Sequence, residues 1–182
     1  MLTKWVVDHF ESDDLTPLKL QKLIFYCVGV AAAVEFGCEV GAVPFQAWRL
    51  GPVNREVYQK FKPMAATPLT SAITADLPSP QYSHECQRLL GAVLTVYGHL
   101  PATALVNETH REAPWKDAYV AGEDRLIDPA SIERHFQTKF RDGFMPPSVA
   151  FAAGDFLIDG IPISRFESIF ALADALKNAR SQ

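Results

Sequence analysis

The sequence predicts a mostly α-helical protein: a compact helical domain around one buried central helix, with small β elements and a C-terminal hairpin-plus-helix addition. Three observations predict it. Apolar residues recur at helical spacing over most of the first 141 positions, several of these runs open on a capping residue, and one run is apolar on every side. That run is Thr16 to Gly37, TPLKLQKLIFYCVGVAAAVEFG. Thr16 caps it, Pro17 fits its first turn, and Asp13 and Asp14 suit the positive end of a helix dipole. Leu20, Leu23, Ile24, Cys27, Val28, Ala31 and Val34 follow with helical period, no residue from Leu23 to Val34 is charged, and Gly37 is expected to stop the helix. A helix of this kind is normally enclosed by other helices. A membrane span needs roughly 20 apolar residues, and this run falls short, so no membrane partner is expected.

The remaining elements follow from the same signals. Leu2 to Phe10 reads as a short amphipathic helix with Trp5 and Val6 inward. Val43 to Leu50 alternates like one short strand and runs into Gly51-Pro52, a turn signal. Val53, Val57 and Phe61 form the seam of an exposed helix with Arg55, Glu56, Gln59 and Lys60 outside. Four prolines break residues 62–82, which read as a surface loop with a small strand near Ser71 to Ile73. Ser83 caps a second buried helix through Leu89, Leu90, Val93, Leu94 and Tyr97, ending at Gly98. Pro101 starts another, to about Thr109, and Trp115 to Val120 adds one or two turns. Asp128-Pro129 starts a helix with Ile132, Phe136 and Phe140 as its seam and Gly143 as its stop.

At Asp142 the composition changes. Met145-Pro146-Pro147 reads as a linker, and Phe156 to Ile163 as a hairpin turning at Asp159-Gly160. Ser164 and Glu167 form a capping box for a last helix with Phe166, Ile169 and Phe170 inward. The expected organisation is a helical domain over 1–141 and an addition over 142–182.

Composition narrows the function classes. Of the 182 residues 48% are apolar and 21% charged, which places the chain among soluble globular proteins. A net charge of -4 disfavours a general nucleic-acid binder. No secretory signal is visible, and Cys27, Cys38 and Cys86 make neither a CxxC pair nor a disulfide framework. Reduced thiols in a cytoplasmic protein are expected.

Catalytic chemistry is hard to find, and neither a catalytic set, a metal site nor a cofactor is expected. The five histidines are scattered, with no HExxH pair. His110-Arg111-Glu112 matches half of a zinc-deaminase signature but lacks the PCxxC half. Cys38 beside Glu39 has no marked base, which leaves a Cys/His hydrolase as a minor alternative. Lys19 with Lys22, and Arg55 with Lys60 and Lys62, are the only clusters that could meet DNA, and they read better as solvated helix faces. Two clusters stand out instead. Phe45 to Val53 with Tyr58, and Thr109 to Trp115, each place a tryptophan in or beside a proline break. There an aromatic either locks a loop onto the core or offers a rigid anchor to a partner.

These clusters carry a resemblance. LTPLKLQKLIFYC (15–27), QAWRLGPVNREVY (46–58), LVNETHREAPWKDA (105–118) and IDPASIERHF (127–136) follow in the order and spacing of the Panacea domain, the SocA-like family of antitoxins. The chain departs from that pattern at Phe25-Tyr26 in place of paired tyrosines, at Gln46 in place of an acid, and at Asn107-Glu108. The resemblance implies a bacterial or phage antitoxin that binds a protein toxin encoded beside it. It implies neutralisation either by capping or by delivery to an ATP-dependent protease such as ClpXP. The residues expected to meet the partner are Trp48, Arg49, Pro52, Tyr58, His110 and Trp115, with Phe166 and Phe170 of the addition. A DNA-binding regulator of its own operon is the alternative from another class.

Overall fold

The computed structural model describes residues 1–34 and 36–141 and the strand residues 157–158 and 161–162. It is mostly helical, with α1 Leu2–His9, α2 Pro17–Ala33, α3 Gly37–Val40, α4 Arg55–Phe61, α5 His84–Gly98, α6 Ala102–Arg111, α7 Ala113–Ala118 and α8 Pro129–Arg141. Strands β1 (Gln46–Trp48) and β2 (Gly51–Val53) form one antiparallel hairpin, and β3 (Leu157–Ile158) pairs with β4 (Ile161–Pro162) in another. Side chains of 140 and 141, the segments 142–156 and 163–182 and residues 159–160, the expected hairpin turn, lie outside the described residues. The expected linker, the Gly143 stop, the capping box and the last helix fall there.

Helix α2 is the centre. Thr16 accepts the Lys19 N–H at 3.3 Å, Pro17 sits in the first turn, and α1, α3, α4, α5, α6, α8 and β2 all pack around the helix. Leu20, Leu23, Phe25, Tyr26, Cys27, Val30 and Ala31 are wholly buried. The Tyr26 ring stacks on Tyr97 of α5 at 3.8 Å, and Phe25 meets Phe45 and Phe136 edge-on at 5.4 and 5.8 Å. No single helix among the described residues is long and apolar enough to cross a membrane.

Three expectations about local structure are corrected. Helix α2 stops at Ala33 rather than at Gly37, because Phe36 donates its N–H to the Ala31 carbonyl at 2.9 Å and closes the last turn early. Gly37 instead opens α3, where a Cβ would lie 3.3 Å from the Ala32 Cα, and Gly41 at φ +80° ends it. Gly51-Pro52 is not the turn but part of β2. The turn is Arg49-Leu50, and Gly51 at φ +96° follows it. The small strand expected near Ser71 is a 3-10 helix, Ser71–Thr74, held by local bonds such as Ile73 N–H to the Thr70 carbonyl at 2.9 Å.

β1 is sandwiched. Its other edge meets 125–127, where Ala47 N–H donates to the Arg125 carbonyl and Ile127 N–H to the Phe45 carbonyl, both at 2.8 Å. That segment then leads into α8, which Asp128 opens by accepting the Ala130 N–H at 3.0 Å. Ser83 caps α5 by accepting the Cys86 N–H at 3.2 Å, and its own N–H and hydroxyl donate to the Glu39 carboxylate at 2.8 and 2.9 Å. α3 and α5 are thereby joined.

Helices α2 and α8 approach closely at Gly29. A Cβ built on Gly29 would lie 2.2 Å from the Phe136 ring, so the glycine is the socket for that side chain. Alanine is ordinarily the better helix former by about 1 kcal/mol, yet overpacking a filled core costs roughly 1–3 kcal/mol. Gly29→Ala is therefore expected to lower stability in a urea melt, and adding Phe136→Leu to recover part of the loss. Simple additivity of the two changes would mean that the ring does not occupy that socket.

Candidate functional site

Three of the four quoted sequence motifs converge on one place, the inner side of the β1–β2 hairpin where it meets α2 and α6. Gln21 of α2 makes two bonds to one residue: its Nε2 donates to the Asn54 carbonyl at 3.0 Å and its Oε1 accepts the Asn54 N–H at 2.8 Å. The Asn54 side chain donates to the Pro44 carbonyl at 2.9 Å and accepts the Val57 N–H at 2.9 Å, which caps α4. One glutamine thus fixes both the exit of β2 and the start of α4.

Lys22 is the unexpected residue. Its side chain is wholly buried, and Nζ donates to the Pro52 carbonyl at 2.8 Å. A Cβ on Gly51 would lie 2.6 Å from the Thr109 hydroxyl and 2.9 Å from Lys22 Nζ, so only glycine lets the hairpin close onto this pair. No carboxylate pairs with Lys22 among the described residues, and burial pushes its pKa down to about 7. Lys19 is also buried, with Nζ 2.7 Å from Asp14 and 4.9 Å from the centre of the Phe10 ring. The expectation that Lys19 and Lys22 lie on a solvated helix face is therefore overturned. A helix enclosed on all sides leaves its lysines no solvent to reach, and the first candidate DNA cluster is not available to DNA.

The two tryptophan clusters meet. Trp115 donates its indole N–H to the Trp48 carbonyl at 2.9 Å, and its ring stacks on His110 at 4.0 Å and on Tyr119 at 4.6 Å. Trp48 donates to the Gln46 side chain at 3.1 Å, and its ring meets Tyr58 at 4.8 Å. Burial, and next the charge of Lys22, lower the pKa of His110. Of the residues expected to meet a partner, Arg49 and Tyr58 are exposed, Trp48 and His110 are half-buried, and Pro52 and Trp115 are buried. Pro52, bonded to Lys22 of α2, and Trp115 of α7, bonded to the Trp48 carbonyl, hold the hairpin from behind. Phe166 and Phe170 lie outside the described residues.

A second polar node sits at the junction of α6 and α7. Glu112 is 4% exposed and accepts from the Tyr26 hydroxyl at 3.3 Å, from His135 Nε2 at 2.5 Å and from Lys139 Nζ at 2.6 Å. Burial opposes its ionisation, but His135 and then Lys139 outweigh it and hold the pKa below the usual carboxylate value. This node ties α2, α6, α7 and α8 together. The sequence does not single out Gln21, Asn54 or Lys139, and it offers Tyr26, Glu112 and His135 only as members of motifs or of the scattered histidines. The available signal was that polar residues inside an apolar run or next to a buried tryptophan have to be matched by partners from elsewhere.

Cysteine chemistry finds little support. Cys27 and Cys86 are buried, and burial pushes the Cys27 pKa up, which keeps the thiol protonated. The Cys38 side chain lies outside the described residues. Among those residues no three His, Cys, Asp or Glu side chains group as a metal site.

Both nodes leave a pH signature. Lys22 binds its proton less tightly folded than unfolded, so stability rises with pH from about 7 towards the ordinary lysine value near 10.5. The slope from one such group is at most about 1.4 kcal/mol per pH unit. In Lys22→Met this slope is expected to vanish from urea melts taken at pH 7 to 10, and an unchanged slope would place its origin elsewhere. Glu112, whose folded pKa is also lowered, gives a slope of the same sign but in the acid range. Its contribution is present above the ordinary carboxylate pKa and is lost as pH falls through the depressed folded value. Glu112→Gln should cost near the low end of roughly 3–5 kcal/mol, because His135 and Lys139 keep some access to water. It should also flatten acid denaturation below pH 4.5.

Comparison with known proteins adds the family. Neither the curated proteins nor the solved structures yield a match to the chain. The family described as antitoxin SocA-like, Panacea domain, matches residues 20–116. That span runs from α2 to α7 and contains Gln21, Lys22, Tyr26, Gly51, Asn54, Thr109, Glu112 and Trp115, whereas IDPASIERHF and α8 lie beyond it. The match covers more than half of the chain, and the protein belongs to the SocA-like antitoxin family with a Panacea domain.

Proposed function

We propose that the chain is a bacterial or phage cytoplasmic antitoxin that binds and neutralises a cognate protein toxin, and that it works by binding rather than as an enzyme. The observation that supports this most is the division of labour within the family-matched segment. Its buried polar residues brace the β1–β2 hairpin from inside, while Trp48, Arg49, Leu50 and Tyr58 are presented outside. A braced loop that displays aromatic and arginine side chains is the usual make-up of a protein-binding hot spot. Preorganisation of that kind lowers the entropy lost on docking. Neutralisation is by capping the toxin or by handing it to an ATP-dependent protease such as ClpXP. Operon regulation through DNA is less well supported, since Lys19 and Lys22 are buried.

The domain over 1–141 is proposed to hold the toxin-binding face, and residues 142–182, with Phe166 and Phe170, to set which toxin is taken. Specificity is a difference of affinities and needs a surface that varies between family members.

Two measurements test these readings, with protection of cells from the toxic product of a neighbouring open reading frame as the readout. Arg49→Ala and Tyr58→Ala are expected to reduce protection at least tenfold with little change in melting temperature. Trp115→Ala is expected to lower both, because it empties a buried site and frees the Trp48 carbonyl. If all three lower melting temperature and protection together, the hairpin is structural only. A chain ending at Arg141 is expected to keep its helical circular dichroism and to lose protection. Unfolding would make 142–182 part of the core, and full protection would put toxin choice within 1–141.

A further inference from the structure

The outer side of α4 and the turn of the hairpin differ in charge from the chain as a whole. At 3.6 residues per turn, Val57 and Phe61 point into the core, and both are buried. Arg55, Tyr58 and Lys62 then share one outer flank, while Glu56 and Lys60 fall on the other, where Lys60 pairs with Asp76 at 2.8 Å. Tyr58 meets Trp48 on the first flank. The hairpin turn adds Arg49 and Leu50 beside Trp48, with Leu50 41% and Tyr58 39% exposed. Arg49, Arg55 and Lys62 are exposed, and none forms an ion pair among the described residues. Three unpaired cations around an apolar centre, in a chain of net charge -4, form a local patch of the opposite sign.

We infer that this face receives an acidic segment of a protein partner, with a bulky apolar side chain seated against Leu50, Trp48 and Tyr58 and carboxylates paired to Arg49 and Arg55. The inference rests on the toxin-docking reading and gives the docked segment its chemistry. Charge complementarity selects the occupant. Fixed cations at the rim steer an acidic segment in and repel a basic one, while the apolar centre supplies contact that an anion alone cannot use. A nucleic acid is the less suitable anion, because the net charge of the chain repels a polyanion.

The test is selection of a random twelve-residue peptide library on the full-length chain. The expected winners place Asp or Glu on both sides of Leu, Phe or Trp. Their affinity should fall at least tenfold in the Arg49→Glu, Arg55→Glu variant, and by a smaller factor in the milder Arg49→Gln, Arg55→Gln variant. It should also fall about tenfold between low salt and roughly 0.5 M NaCl, where screening is short-ranged. Neutral or basic winners, affinities indifferent to these substitutions, or displacement by a single-stranded thymidine oligonucleotide would each overturn the inference. The toxin assay separates the two readings. Weakened peptide binding by the glutamine variant, with protection of cells unchanged, would keep the acidic occupant and remove the toxin from this face. Protection that needs Tyr58 but ignores both arginine changes and salt would keep the toxin there and discard the acidic segment.

Discussion

A helix enclosed on every side has to satisfy its polar side chains against other parts of the chain, and in this protein that requirement organises the rest. The first half of α2 carries Lys19, Gln21 and Lys22, and none of them reaches solvent. Gln21 is matched by the backbone of Asn54, Lys22 by the carbonyl of Pro52 and Tyr26 by Glu112. A buried polar group without a partner costs more than a formed hydrogen bond gains. The hairpin and the α6–α7 junction are therefore fixed in position by α2 as well as by apolar packing.

The same network connects the interior to the outer face. Lys22 and Thr109 crowd Gly51 from within, and two residues along the chain Arg49 stands in solvent. Trp115 holds the Trp48 carbonyl while the Trp48 ring turns towards Tyr58. A short hairpin is marginal in isolation. Bonded to 125–127 on one side and braced by α2 and α6 on the other, it presents its turn in one place. That rigidity fits an antitoxin family, where affinity for a toxin depends on what the surface offers before contact.

Helix α8 has a place that the family match does not cover. Phe136 fills the space above Gly29, and His135 and Lys139 neutralise Glu112 between α6 and α7. Without α8 a buried carboxylate would face the core with the Tyr26 hydroxyl as its one remaining partner among the described bonds. The residues matched by the family and those beyond the match thus share one core.

The sequence by itself determined the helical class, the central helix, the caps at Thr16 and Ser83 and the start of α8 at Asp128, because these rest on local spacing and on bonds within a few residues. It also supplied the family, since motif order is a property of the chain. Tertiary structure alone decided where the polar residues went. Lys22 carries the same charge on a wet face as in a core, and nothing near it in sequence names Pro52, thirty residues on, as its acceptor. Gly37 and Gly51 read as a stop and a turn, yet one opens α3 and the other lies in β2 where other residues crowd it. Pro52 and Trp115 look like Arg49 and Tyr58 in a motif, and only packing sorted the first pair inside and the second pair outside. Burial is set by contacts between distant segments, and a residue's type states what it needs without stating who supplies it.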